Sequence, residues 1–329
     1  MKFQNGKNRI AGLGSALVDI LVHESDDFIQ RVGVEKGGMT LVDVSALEDI
    51  LSQVSTDTTT VPGGSACNTA VGVGQLGGLS RFVGKRGDDD LGRFFENALV
   101  QCDVDPQLMI SSLPTGRVLS IITPDAQRTM LTYLGASADT QPEEITSDCF
   151  ADCAVVHIEG YLLFNPDLML ASLKAAKSAG ALVSLDLASF TVVEQSKSVL
   201  EDIVHDYVDI LIANEDEALA YTGIKVEEEA IQRLSRYVDI AALKVGAKGS
   251  YIQNSTGICR IAPLGNGAAV DTTGAGDLWA SGFLYGLVQG FTHEKSGALA
   301  SACGYEVCQV VGADIPDDGW MRIKRNLEA

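Results

Sequence analysis

No stretch of the sequence approaches the ~20 apolar residues of a membrane span, and the opening Met1-Lys-Phe-Gln-Asn-Gly-Lys-Asn-Arg9 is polar. Neither a spanning helix nor a secretory leader is expected. Basic residues are scarce: 24 Lys and Arg stand against 44 Asp and Glu, a net charge of −20. That field repels a polyphosphate backbone, and no basic run with interleaved aromatics offsets it, so nucleic acid is excluded as an expected partner. The same charge requires any anion site to be built locally, from backbone amides, a metal ion or a few placed cations. The seven cysteines (67, 102, 149, 153, 259, 303 and 308) contain no Cys-x-x-Cys pair, and the four histidines (23, 157, 205 and 293) are dispersed. A disulfide framework, a zinc site and a catalytic triad are thereby disfavoured, leaving reduced, buried thiols in a cytoplasmic protein as the expectation.

There is no Gly-x-x-x-x-Gly-Lys-[Ser/Thr] run, hence no P-loop. Gly72-Val-Gly-Gln-Leu-Gly77 satisfies the dinucleotide fingerprint as a string, but a polar stretch precedes it where a strand is required. Small residues packing a helix are the better reading. Repeats, low-complexity tracts and Pro-rich linkers are absent as well.

What is present is a chain of 329 residues, 46% hydrophobic and 21% charged, enough to bury a large core in one principal domain. Short runs of Ala, Val, Ile and Leu at 9–14, 154–158, 181–185, 210–213 and 241–245 read as strands covered on both faces. Helix-length stretches at 167–179, 215–222 and 227–236 separate them, and a last helix end falls at 320–329. The alternation predicts an α/β fold with a doubly wound, mostly parallel sheet flanked by helices. Two segments break the rhythm, about 18–44 and 115–136. In the second, Val118–Thr123 and Thr129–Leu134 flank the turn-like Pro124-Asp-Ala-Gln and predict a β-hairpin. Such strands would form a small β-sheet lid over the carboxyl ends of the parallel strands.

The strongest local signal is Asp271-Thr-Thr-Gly-Ala-Gly-Asp277, followed by an apolar, small-residue helix. Gly274, Ala275 and Gly276 would leave their N–H groups open at a helix N-terminus, an anion site, with Asp277 in reach as acceptor for a hydroxyl proton. The string by itself fits an ordinary capped helix start equally well. Arg128, on the expected hairpin, has the charge and fork geometry to meet a phosphate, and fits a surface arginine at a turn equally well. Tyr133 on the same strand would pack over a substrate or in the lid core.

With Pro62-Gly-Gly-Ser-Ala-Cys-Asn68-Thr-Ala some two hundred residues upstream of Asp271–Asp277, the sequence resembles the ribokinase-like (phosphofructokinase-B type) carbohydrate kinases. Val83-Gly-Lys-Arg-Gly and Asn214-Glu-Asp-Glu217 extend the resemblance, and Arg128–Ser137 with His157–Leu162 looks most like the adenosine-kinase-like branch. It implies an ATP-dependent phosphotransferase acting on a hydroxyl of a small sugar or nucleoside, with Asp277 as general base and Gly274–Gly276 as anion hole. It further implies that Ser15, Asp19, Gly63, Gly64, Asn68 and Tyr161 meet the substrate, and that Asn214, Lys244, Gly246 and Gly249 meet ATP. Glu217 would organise Mg²⁺ through water, and Asp271 and Thr273 match a stretch that binds a monovalent cation, K⁺, in some members. Tyr161 and Phe190 offer aromatic faces for a nucleoside base or ordinary core packing, and Leu162 stands where a stacking aromatic is expected. Asp186 resembles the aspartate of sugar-specific members. The rival is a nonenzymatic nucleotide or sugar sensor on the same fold, and the oligomeric expectation is a monomer or a homodimer through the lid.

Overall fold

The computed structural model describes residues 3–4, 6–125, 127–265 and 269–328, so Ala126 of the expected turn and Ala329 of the last helix lie outside the described residues. Two sheets organise the chain. The larger contains β1 (Arg9–Leu13), β5 (Ser80–Gly87), β6 (Val104–Ser111), β9 (Cys153–Glu159), β10 (Leu182–Asp186), β11 (Ile210–Asn214), β12 (Ile240–Lys244), β13 (Ser250–Asn254) and β14 (Gly257–Ile261). The smaller contains β2 (Leu17–His23), β3 (Met39–Leu41), β4 (Thr59–Gly63), β7 (Gly116–Ile122) and β8 (Arg128–Tyr133).

In space the large sheet runs β14-β13-β12-β11-β10-β9-β1-β5-β6, parallel except where β13 pairs antiparallel with β12 and β14. From β1 the chain winds outward through β5 and β6, then returns to start again at β9 and winds the other way. The order therefore reverses between β1 and β9, and ligand crevices in open α/β sheets lie at the carboxyl ends of strands at such a switch. The five strands expected from composition all form within a residue or two of their limits, because sheets covered on both faces need unbroken apolar runs.

Helices α1 (Asp26–Val32) and α2 (Val44–Leu51) belong to the small sheet, whereas α3 (Ser65–Gln75) and α4 (Asp90–Gln101) pack around β1, β5 and β6. On one face of the large sheet lie α5 (Pro166–Ser178), α6 (Phe190–Tyr207), α7 (Glu215–Thr222) and α8 (Glu227–Leu234). On the other lie α3, α9 (Ala275–Val288) and α10 (His293–Val307), with α11 (Asp317–Glu328) behind them. Gly72 belongs to α3, where an added Cβ would run into the Ser281 hydroxyl of α9. The dinucleotide-like string is thus a helix-packing surface. Fully buried Phe283 and Ile212 fill the layer between α9 and the sheet, each contributing about 1.5–3 kcal/mol by its burial.

The expected hairpin is β7–β8, antiparallel with Arg117 opposite Tyr133 and Ile122 opposite Arg128. β2 lies parallel to β7, β3 parallel to β8, and β4 adds a fifth strand antiparallel to β2. Ile20, Leu119, Ile121 and Leu131 turn one face of this sheet toward Phe28, Ile29 and Leu47 of α1 and α2, giving it a core of its own. Its other face is turned toward the switch point. All seven cysteines are free, four of them buried. Among the described residues no helix is long and apolar enough to cross a membrane.

Candidate active site

Asp277 occupies the third helical position of α9, behind Gly274, which caps the helix in the left-handed conformation (φ 71°) without a side-chain hydrogen bond. Gly276 and Asp277 present N–H groups with no partner among the described residues, a place for an anion. The expected cradle is narrower than Gly274–Gly276, since the Ala275 N–H already donates to the Thr272 carbonyl at 3.2 Å. Opposite stands α3. Ser65, Asn68 and Thr69 share one face by helical spacing, and all three reach Asp277. Ser65 Oγ donates to Oδ1 at 2.7 Å, Asn68 Nδ2 to Oδ2 at 2.8 Å, and Thr69 Oγ1 to the Asp277 carbonyl at 3.1 Å. Burial raises the Asp277 carboxyl above its ordinary value, and these hydrogen bonds offset only part of that rise.

Glu159, at the end of β9, was not singled out from sequence. Its carboxylate accepts from Ser15 N at 2.8 Å and Ala66 N at 3.2 Å, tying the end of β1 to the start of α3. A Cβ at Gly14 would occupy the same space. Burial pushes this carboxyl up to about 7, against the pull of the two N–H groups. A carboxylate closing an otherwise apolar strand, just before Gly160, was the available signal. Ser65 was legible too, three residues before Asn68 on the same helix face.

Lys244, at the end of β12, donates to Asp186 Oδ2 at 2.8 Å. Burial is the largest single influence and would raise Asp186 and lower Lys244, but their mutual charge and hydrogen bond, joined by the Ala188 N–H for Asp186 and by the Glu217 and Asp277 charges for Lys244, together leave Asp186 below and Lys244 above its ordinary value. Asn214 caps α7 and forms a reciprocal box with Glu217: Asn214 N and Nδ2 donate to the carboxylate at 2.8 and 2.7 Å, and Glu217 N returns a bond to Asn214 Oδ1 at 2.9 Å. Glu217 is pushed up to about 7 by burial and by the nearby Asp186 charge. Each of its carboxylate oxygens accepts one of these hydrogen bonds.

The lid brings Arg128 to the same place. Its guanidinium donates to Ser120 Oγ at 2.7 Å, pairs with Asp19 at 3.3 Å and bonds the Thr273 hydroxyl of the loop before α9. Asp19 is raised by burial, with Arg128 pulling the other way. Burial would also raise Asp271, but bonds from Gly312 N, Thr273 N and Thr273 Oγ1 and the Arg128 charge bring it below its ordinary value. Asp271 and Thr273, expected at a cation, form a hydrogen-bonded turn with a guanidinium already on the threonine.

Two cavities meet over the N-terminus of α9. One, of about 980 Å³, is lined by Ser15, Asp19, Gly64, Asn68, Arg128, Glu159, Tyr161 and Asp277. The other, of about 340 Å³, is lined by Gly246, Gly249, Pro263, Trp279, Tyr305 and Cys308. Asn214, Lys244, Thr272 and Gly276 line both. The larger cavity has an apolar wall: Met39, Leu41, Met130 and Leu134 on the lid, Leu162, Phe164 and Leu168 across from them. Phe164, half exposed, is an aromatic side chain on this wall, two positions from Leu162.

One open alternative closes, and two expectations need correction. Tyr133 lies on the far face of the lid sheet, packed on the core under α1 and α2, because it stands an odd number of positions from Arg128 along the same strand. Phe190 is exposed at the start of α6 and lines neither cavity. Gly63 is buried behind Asp19, where a Cβ would come within 2.6 Å of the carboxylate. It makes room for that side chain instead of for a ligand. Gly64, with φ 101°, is the glycine of the pair that lines the cavity.

The sequence profile described as pfkB family carbohydrate kinase matches residues 34–318. A 5-dehydro-2-deoxygluconokinase of Bacillus subtilis (strain 168) is 30% identical over 280 residues, 80% of this chain and 86% of that one. Among solved structures, a probable sugar kinase protein from Rhizobium etli CFN 42 superposes with a TM-score of 0.89 at 31% identity, covering 98% of this chain and 99% of that one. The adenosine kinase from Sinorhizobium meliloti gives a TM-score of 0.87 at 31% identity with the same coverage.

Proposed function

The chain belongs to the pfkB family of carbohydrate kinases, and on that premise we propose that Asp277 is the general base for transfer of the γ-phosphoryl group of ATP to a hydroxyl held in the larger cavity. One observation carries this reading. The Asp277 carboxylate, oriented by Ser65 and Asn68, sits beside the free N–H groups of Gly276 and of its own residue, where the two cavities join. A base and an anion site at one point are what transfer to an alcohol requires. ATP extends into the smaller cavity past Asn214, Lys244, Gly246 and Gly249. Asp19, Asn68 and the backbone at Gly64 and Ser15 face the acceptor's hydroxyls. The open N–H groups of Gly276 and Asp277, with Arg128, meet the charge that develops. The acidic side chains fit magnesium: Glu217 and Asp186 would hold it through water, and it would supply neutralisation of phosphate charge there.

The apolar wall of Met39, Leu41, Met130, Leu134 and Phe164 favours an acceptor that carries a flat apolar group on its sugar, that is, a nucleoside. In an ADP-release assay, adenosine, inosine or cytidine is expected to give a higher kcat/KM than ribose or fructose. Preference for the free sugars would overturn the acceptor and leave Asp277 untouched. Asp277→Asn is expected to lower kcat by on the order of 10²–10⁴-fold with ATP affinity nearly unchanged. Turnover like that of the wild type would sink the assignment of the base.

A further inference from the structure

The site is rich in carboxylates, and one buried ammonium stands among them. Asp186, Glu217 and Asp277 all act on the Lys244 charge, whose only hydrogen bond among the described residues goes to Asp186. An ammonium has three N–H donors, so two remain for a ligand. Its position is defined by Gly276: a Cβ there would lie 3.0 Å from Nζ, which places the ammonium directly over the N-terminal turn of α9. Lys244 also lines both cavities, at the border that a transferring group must cross.

Asp186 is held for this purpose by strained backbone. Its other oxygen accepts from Ala188 N at 2.9 Å, and Ala188 adopts φ 64°, one of only two positive values for a non-glycine among the described residues. An L-residue adopts that conformation at a cost, and such outliers gather where a side chain must be aimed. Ser189 follows as the cap of α6, so the turn is anchored on both sides.

We propose that Lys244 is a catalytic residue whose ammonium binds an oxygen of the transferring phosphoryl group, and that Asp186 is the positioning residue that holds it over the α9 N-terminus until ATP arrives. The proposal rests on the kinase reading above and goes beyond it by giving this lysine a contact that forms with the γ-phosphate. In the transfer, the acceptor oxygen forms its bond to phosphorus as the bond to the bridging oxygen of ADP breaks. The electron pair leaves on ADP, and the acceptor's proton passes to Asp277. Lys244 stays protonated throughout and only donates hydrogen bonds. Its charge is retained in the buried site because Asp186, Glu217 and Asp277 oppose the effect of burial.

Lys244→Met leaves Asp186 buried without its counter-charge, so the decisive variant is the double change Lys244→Met with Asp186→Asn, which removes both charges together. Binding of ATP and of ADP is measured by calorimetry in the wild type, the double variant and Asp186→Asn alone. The double variant is expected to bind ATP at least ten-fold more weakly while ADP affinity changes less than three-fold, and its kcat to fall by on the order of 10²-fold. Asp186→Asn keeps the ammonium and an amide oxygen to hold it, and is expected to keep the ATP preference, and Lys244→Arg to recover part of kcat. Equal losses for ATP and ADP, or no loss of either, would overturn the proposal. Because binding is read without an acceptor, this outcome is separate from the fate of Asp277 as base: failure of Asp277→Asn to lower kcat would leave the ATP preference intact.

Discussion

Glu159→Gln tests the electrostatics of the site through folding stability. The wild-type carboxyl is pushed up to about 7 from an ordinary 4.5 because it is only 1% exposed, and no cation lies among the groups acting on it. The proton is thus held more tightly in the folded chain than in the unfolded one. Its stabilising contribution is fully present below pH 4.5 and is lost as the pH rises through about 7. Integrating that difference between pH 5 and 8 gives a loss of about 2.5 kcal/mol from this one group. Gln cannot ionise and keeps the shape. It still accepts from one of Ser15 N and Ala66 N, but turns an NH₂ toward the other, a constant offset of about 1–3 kcal/mol. Urea unfolding of both proteins at pH 5 and pH 8 removes that offset, because only the change in their stability difference with pH is read. Glu217 titrates in the same range in both proteins and cancels. Glu159→Gln is expected to gain about 2.5 kcal/mol on the wild type over this interval. Stability curves that stay parallel to within about 0.5 kcal/mol would refute the reasoning, since they would mean that Glu159 is not desolvated in the folded chain.

Arg128→Ala removes the group that joins Asp19, Ser120 and Thr273, and kcat/KM is expected to fall by on the order of 10²-fold, with Lys restoring only part of it because one ammonium cannot hold three partners in a fork. An Ala variant with unchanged steady-state kinetics would remove Arg128 from the transfer. Asn214→Ala deletes the cap of α7 and both bonds made by the Asn214 side chain, leaving only its backbone N–H on the Glu217 carboxylate, which predicts a loss of about 1 kcal/mol and a Tm lower by roughly 2 °C. The same change takes a donor from Glu217, so its carboxyl should rise further; an unaltered Tm in a calorimetric scan would show that the box contributes nothing.

Much of this protein was written in local sequence. Buried parallel strands must be apolar runs, so β9 through β12 announce themselves, and Asp271–Asp277 declares a helix start with open N–H groups whatever surrounds it. Even the position of Tyr133 was readable, because alternation along a strand sends residues five apart to opposite faces. Tertiary structure decided everything that depends on elements far apart in the chain. Asn68 and Asp277 lie 209 residues apart, and only the packing of α3 against α9 brings the Asn68 amide onto the Asp277 carboxylate. Lys244 and Asp186, 58 residues apart, become an ion pair because β10, β11 and β12 stand in that order, Asp186 level with Ile212 and Ala242 and Lys244 two residues further along its strand. Glu159 carries a signal in sequence, a carboxylate closing an apolar strand, but its partners Ser15 and Ala66 come from the other side of the switch point. Propensity and periodicity act over a few residues and leave a trace in any short window. Strand order and helix packing are set by the whole core, and it is they that bring these charges within hydrogen-bonding distance.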